Sequence, residues 1–216
     1  MSKFFLSLGT GPGIGYATAK RFAKEGYTPV LAARTRSNLE ALALEMDKEI
    51  GVKPEIYPLD VANPYQVLAL QKQYSQNVAV IHYNAAIVHA ETLEAATLSS
   101  LHNDINVGIT GALYVTKVFY PDLVKNGAGT ILLTGGCLTY SPHPDYLALG
   151  IAKAGIHSLA HALFEPCKEK HIHIACVNVT RAIPPKSKES LEVAEVFWKL
   201  HAQSFENWTC EEKDVL

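Results

Sequence analysis

The chain has 216 residues, 48% of them hydrophobic and 19% charged, and a formal net charge of −2. That size and composition suit one globular domain with a substantial core and exclude a disordered chain. Scattered basic residues and a near-neutral balance leave no field to attract nucleic acid or anionic lipid. The apolar run from Met1 to Leu8 is too short for a signal-peptide core, and no later stretch is expected to span a bilayer. Cys137, Cys167, Cys176 and Cys210 show neither CxxC pairing nor zinc-type spacing, so they read as reduced, mostly buried thiols of a cytoplasmic protein.

Short apolar runs alternate with longer amphipathic stretches. Lys3–Leu8 reads as a strand and Gly13–Gly26 as a helix opening in a glycine-rich turn. A second strand, Thr28–Ala33, precedes a helix over Ser37–Ile50, where Leu39, Leu42, Met46 and Ile50 recur at helical spacing. Lys53–Pro58 and Val78–His82 read as strands, with a helix over Pro64–Gln76 between them. One long helix is expected over roughly Leu98–Val124, then a strand at Thr130–Thr134 and a helix over Leu147–Lys170. His171–Val179 completes a sixth strand, and Lys188–Gln203 a last helix with Leu191, Val196, Phe197 and Leu200 on its apolar side. No seventh strand is visible. The alternation predicts a three-layer, Rossmann-type doubly wound parallel sheet in a single α/β domain over residues 1–216, with a short C-terminal region.

The strongest local signal is Gly9-Thr10-Gly11-Pro12-Gly13-Ile14-Gly15, between the first strand and first helix. A sharp turn whose amides approach a pyrophosphate at a helix N-terminus needs glycine. The second strand ends Ala32-Ala33-Arg34-Thr35-Arg36, with no carboxylate to hold a ribose 2′-hydroxyl. Arg34 offers a planar fork for a 2′-phosphate, which favours NADP(H). The alternative leaves both arginines as solvated surface charges.

The Gly9-x-x-x-Gly13-x-Gly15 spacing resembles that of the short-chain dehydrogenase/reductase family, and the resemblance extends from about Lys3 to Val179. Asp60-Val61 looks like the family's adenine-contacting motif, and Asn84-Ala85-Ala86 is similar to its Asn-Ala-Gly motif. Asn106 matches the helix asparagine of the family's proton relay. Lys153 matches the lysine of its Tyr-x-x-x-Lys motif, which holds the nicotinamide ribose. Read singly, Asp60 also serves as a helix cap, Asn84 as a turn residue, Asn106 as a kink and Lys153 as a surface lysine. Five matches in family order set those readings aside.

The pattern breaks at the catalytic hydroxyls. Leu149 stands four residues before Lys153, where the family has tyrosine, and Gly136 stands where it has serine. On a continuous helix Tyr146 would share the Lys153 face but lie about 10 Å away along the axis, against about 6 Å for a four-residue spacing. Tyr146 is nevertheless the leading substitute, ahead of Cys137, Tyr140, Ser141 and His143 in the adjoining loop. Thr180-Arg181 replaces the family's Pro-Gly after the sixth strand, and the short segment beyond implies a more open site.

His157, His161 and Glu165 share one helix face at a spacing that suits metal ligands, but no HExxH motif accompanies them and no metal is expected. His171 and His173 alternate on a strand with no identifiable partner, and Trp198 and Trp208 read as packing anchors. Two functions follow. One is an NADP(H)-dependent oxidoreductase acting on a small carbonyl or alcohol with altered acid–base residues, Lys153, Asn106 and Tyr146. The other is a non-catalytic NADP(H)-binding sensor or scaffold subunit. The resemblance further implies a homodimer or homotetramer built through the two long helices.

Overall fold

In the computed structural model, which describes residues 3–213, seven strands form one parallel sheet in the order β3-β2-β1-β4-β5-β6-β7. The strands are β1 (Phe4–Leu8), β2 (Thr28–Ala33), β3 (Glu55–Pro58), β4 (Val78–Tyr83), β5 (Gly129–Thr134), β6 (Ile172–Asn178) and β7 (Glu211–Lys213). Helices α1 (Ile14–Ala23), α2 (Arg36–Ile50) and α7 (Lys188–His201) cover one face. The helices α3 (Pro64–Tyr74), α4 (Leu98–Ile105), α5 (Gly111–Asn126) and α6 (Leu147–Lys168) complete the set, with α3, α5 and α6 covering the other face.

Both faces are buried because successive strand residues point to opposite sides. Phe5, Leu31, Val80, Leu132 and Val177 pack with Phe22 of α1, Leu39 and Met46 of α2, and Phe197 of α7. Leu6, Val30, Ile81, Ile131 and Ile174 pack with Leu70 of α3, Phe119 of α5, and Ile156 and Ala160 of α6. Helix starts follow local chemistry. Asn63 caps α3, its side chain accepting from the Tyr65 and Gln66 amides, with Pro64 in the first turn. Thr97 and Ser100 form a reciprocal capping box on α4.

Several expectations are corrected. The long helix predicted over Leu98–Val124 contains a π-helical turn, Asn106–Thr110, between α4 and α5. The Tyr83 hydroxyl enters the helix there and donates to the Val107 carbonyl at 2.5 Å, diverting that carbonyl from the α-helical ladder. A short β7 pairs in parallel with Cys176–Asn178 of β6, although only polar Glu211-Glu212-Lys213 make it up. Leu191 is 49% exposed, and Ser190, Val193 and Ala194 join Phe197 and Leu200 on the buried side of α7. Only Cys167 and Cys176 are buried; Cys137 is exposed and Cys210 half-buried. His171 precedes β6 rather than lying in it, and packs against Phe205, whereas His173 stacks on Trp208 and bonds the Thr209 carbonyl. By length and composition α6 could cross a membrane, contrary to expectation, with a mean hydropathy of 1.3 over its most apolar window. Ala152, Ile156, Ala160 and Cys167 of this helix are buried in the core, while Ile151 is exposed.

Candidate functional site

The strand order reverses at β1 and β4. Chains leaving their carboxyl ends run to opposite faces of the sheet and open a crevice between them, where doubly wound sheets bind ligands. The Gly9–Gly15 turn leaves β1 here. Its backbone is held by Gly9 and Thr10 amides donating to the Ala32 carbonyl at 2.8 and 2.9 Å. Buried Thr10 donates to Ser7, and accepts from the Ala32 amide at 3.2 Å. Gly9 has φ +82°, and a Cβ there would stand 2.4 Å from Ala85 Cα, so only glycine lets the two strand ends approach this closely. Beta carbons at Gly11 and Gly13, by contrast, would meet nothing within 4 Å. Those backbones face open space.

The cleft that follows has a volume of about 790 Å³. Gly9, Gly11, Gly13, Ile14 and Gly15 form one wall, at the N-terminus of α1, whose first turn carries no acidic residue. Arg34, Asp60 and Val61 lie at one end, with Asn84, Ala85 and Ala86 beside β4. Arg34 carries no ion pair among the described residues. Asp60 also turns its own loop, Oδ1 accepting from the Ala62 amide at 3.0 Å; it lines the cleft but does not cap a helix, since Asn63 holds that place on α3. Asn84 ties two strand ends together: Nδ2 donates to the Gly9 carbonyl at 3.1 Å, and Oδ1 accepts from the Thr134 hydroxyl at 3.0 Å.

Lys153 and Tyr146 line the same cleft, together with Leu149 and Gly136. Lys153 Nζ donates to the Thr134 carbonyl at 2.7 Å, and burial pushes its pKa down to about 8. A Cβ at Gly136 would lie 3.5 Å from Lys153 Cγ, which places that strand end directly against the lysine stem. Behind it, fully buried His82 has its Nε2 3.0 Å from Thr134 Oγ1. Since the Thr134 hydroxyl donates to Asn84, His82 supplies its own Nε2 proton to Thr134. Burial lowers its pKa to about 3, and the nearby Lys153 charge acts in the same direction, so the ring stays neutral. Tyr146 is the last residue before α6, at φ −130° and ψ 41°, so it departs from the straight helix assumed in the sequence estimate.

Asn106 begins the π-helical turn and is not among the residues lining the cleft, where its neighbour Val107 is. Sequence reasoning missed Val88, Val107, Leu138, Val179 and Ile183, apolar wall residues on loops and element ends with no motif to mark them. Arg181 also lines the cleft and pairs with Glu192 of α7 at 3.1 Å. The segment carrying it reaches across to the glycine turn, where the Lys186 amide donates to the Pro12 carbonyl at 2.9 Å.

These residues fit a nicotinamide dinucleotide: open glycine backbone at an uncompensated helix N-terminus, an arginine in place of a carboxylate after β2, and a lysine at the other end. Fold and cradle together define a Rossmann-type doubly wound α/β protein. The chain belongs to the short-chain dehydrogenase/reductase family, whose pattern, described as short chain dehydrogenase, matches residues 3–186. It is 27% identical over 183 residues to a dehydrogenase/reductase SDR family protein 7-like of Drosophila melanogaster, covering 82% of this chain and 56% of that one. It is 27% identical over 168 residues to sulfoacetaldehyde reductase 2 of Chromohalobacter salexigens, covering 76% of this chain and 66% of the relative. The chain therefore spans just over half to two thirds of these relatives' length. Among solved structures, a metagenomic short-chain oxidoreductase in complex with NADP superposes with a TM-score of 0.88 at 20% identity, covering 100% and 99% of the two chains. The Thermococcus sibiricus alcohol dehydrogenase complexed with 5-hydroxy-NADP gives 0.84 at 23% identity, covering 99% and 96%.

Proposed function

We propose that this chain is one NADP(H)-binding domain and an oxidoreductase acting on a small carbonyl or alcohol, with acid–base residues that depart from the family pattern. The observation that carries the reading is the continuity of one cleft from Arg34, past the glycine turn, to Lys153. Bound there, a nicotinamide dinucleotide supplies two-electron reduction or oxidation of a carbonyl and alcohol pair. Arg34 would hold the 2′-phosphate, the Gly11–Gly15 backbone the pyrophosphate, Asp60 and Val61 the adenine, and Lys153 the nicotinamide ribose. Asn84, Ala85 and Ala86 flank that path.

Leu149 cannot give a proton, so another group must serve the substrate oxygen. Tyr146 is the assigned donor: it shares the cleft wall with Leu149 and Lys153 and is 36% exposed. Asn106 acts from behind the wall, through the helix turn that carries Val107. A homodimer or homotetramer would form through α5 and α6, where Leu113 and Ile151 are exposed apolar residues. The protein is expected to work in the cytoplasm without nucleic-acid or membrane partners.

A second reading, a non-catalytic NADP(H) sensor or scaffold, draws on one observation. Leucine and glycine line the cleft where the family has its two hydroxyls. Stereospecifically deuterated NADPH, mixed with the protein and a panel of aldehydes and ketones, separates the readings by mass spectrometry. Deuterated product that disappears in Lys153→Ala supports the oxidoreductase. Tight NADPH binding with no labelled product from any panel member favours the sensor.

A further inference from the structure

Outside the cleft, α6 and β7 bring three side chains together that no part of the proposed reaction uses. His157 Nε2 lies 2.8 Å and His161 Nε2 2.9 Å from the same atom, Glu211 Oε2. All three donor atoms lie within 4.8 Å of one another. The histidines come from consecutive turns of α6, with ring centroids 4.2 Å apart. Glu211 reaches them from the far end of the chain, held by the pairing of β7 with β6 at Cys176.

We propose that His157, His161 and Glu211 form a binding site for a divalent transition cation of the zinc class, clasped between α6 and the C-terminal strand. Two imidazole nitrogens and one carboxylate oxygen are a zinc-type donor set, with the fourth position left to water. In the cation-free protein both Nε2 atoms donate protons to one carboxylate oxygen. A cation takes over those contacts once each ring carries its proton on Nδ1. Ligands about 2.0–2.1 Å from a tetrahedral ion stand about 3.3 Å apart, so each histidine nitrogen needs to move away from Glu211 Oε2 by only about half an ångström. His161 is 46% exposed, which leaves an entry path from solvent.

The surroundings orient the carboxylate as outer-shell partners do in metal sites. Glu211 Oε1 accepts from the Tyr140 hydroxyl, and Tyr140 in turn accepts from Asn178 Nδ2 at 3.1 Å. Desolvation opposes ionisation of Glu211, yet the hydrogen bonds from Tyr140, His161 and His157 hold its carboxyl down at about 2. Glu165, which shares the helix face with both histidines in the sequence, is replaced in this cluster by Glu211. Asn178 also accepts from the Gly136 amide at 3.2 Å, so the cluster is joined to the strand end beside Lys153.

The test uses untagged full-length protein stripped with EDTA, titrated calorimetrically with zinc chloride and, in parallel, followed by visible absorption with cobalt chloride. The expected result is a single zinc per chain, with cobalt bands of a low-coordinate N/O site. His157→Ala, His161→Ala and Glu211→Gln should each weaken zinc by more than about tenfold, as loss of a ligand or its support does. Cys137→Ser and Cys210→Ser should leave it unchanged, because neither thiol belongs to the cluster. Glu211→Gln preserves shape, and its melting curve reports whether the strand still docks. No zinc uptake by the wild type, or uptake abolished by the cysteine variants and not by the histidine variants, would overturn the assignment.

Discussion

Replacing Leu149 with tyrosine and Gly136 with serine would rebuild, on this backbone, the two hydroxyls that the family places beside its lysine. Both positions line the cleft, so neither side chain must be forced into the core. At Gly136 a new Cβ meets the Lys153 stem at 3.5–3.6 Å, an ordinary contact that leaves the strand end in place. At position 149 a phenol stands one helical turn, about 6 Å along the axis, before Lys153. The partly desolvated Lys153 ammonium, with its pKa near 8, would favour the phenolate. A positioned acid contributes about 10²–10⁴ in rate, equivalent to roughly 3–5.5 kcal/mol of barrier. Initial rates of NADPH oxidation with a panel of aldehydes and ketones should therefore rise by about two orders of magnitude in the double variant, with Leu149→Tyr alone giving part of the gain. Folded variants that bind NADPH as the wild type does, yet turn over no faster, would refute the reasoning that the missing hydroxyls limit the rate.

Gly9→Ala should cost about 2–5 kcal/mol in urea unfolding, the sum of a left-handed backbone and an overpacked contact with Ala85. Gly11→Ala meets open space, so it should leave the unfolding midpoint nearly unchanged while weakening NADPH by more than about tenfold in fluorescence titration. Arg34→Ala should lower affinity for NADPH by about 1–3 kcal/mol and leave NADH almost unaffected, since the 2′-phosphate alone distinguishes them. Lys153 has a folded pKa depressed by burial from 10.5 to about 8, so the unfolded chain binds more protons between those values. Stability of the wild type relative to Lys153→Met should accordingly rise as pH increases from 8 to 10.5, by up to about 3 kcal/mol, when unfolding is followed at both ends of that range.

Much of the arrangement was legible where a residue type has one physical use. The glycine turn, Arg34 after a strand, and Lys153 on a helix all fell on the cleft they were expected to share. Strands with near-continuous apolar sequence, such as Ile172–Asn178, announced a sheet covered on both faces. What escaped depended on contacts distant in sequence. At the π-helical turn that begins at Asn106, the Val107 carbonyl is taken by the Tyr83 hydroxyl from the end of β4, on the far side of α4 in the chain, and no local pattern around 106 encodes it. The strand at Glu211–Lys213 is polar and only three residues long, with pairing to β6 as its reason to be extended. Likewise, the partner that His157 and His161 find is Glu211, not the Glu165 that helical spacing offered. Leu191 shows the opposite failure: helical periodicity alone put it inward, but α7 rotates its Ser190–Val193–Ala194 side onto the sheet.

The C-terminal segment also bears on how the protein behaves in a crowded solution. Beta strand 6 is buried along its whole length, and without β7 it would offer a row of unpaired amides and carbonyls on an apolar strand. Such an edge is a template for another chain to add itself. Glu211, Glu212 and Lys213 close it with charge, and His173 stacked on Trp208 at 4.7 Å fastens the preceding loop against it. Three unremarkable polar residues thus act as a guard against self-association: a chain cut before Glu211 should keep its nucleotide cleft yet scatter light as its concentration is raised.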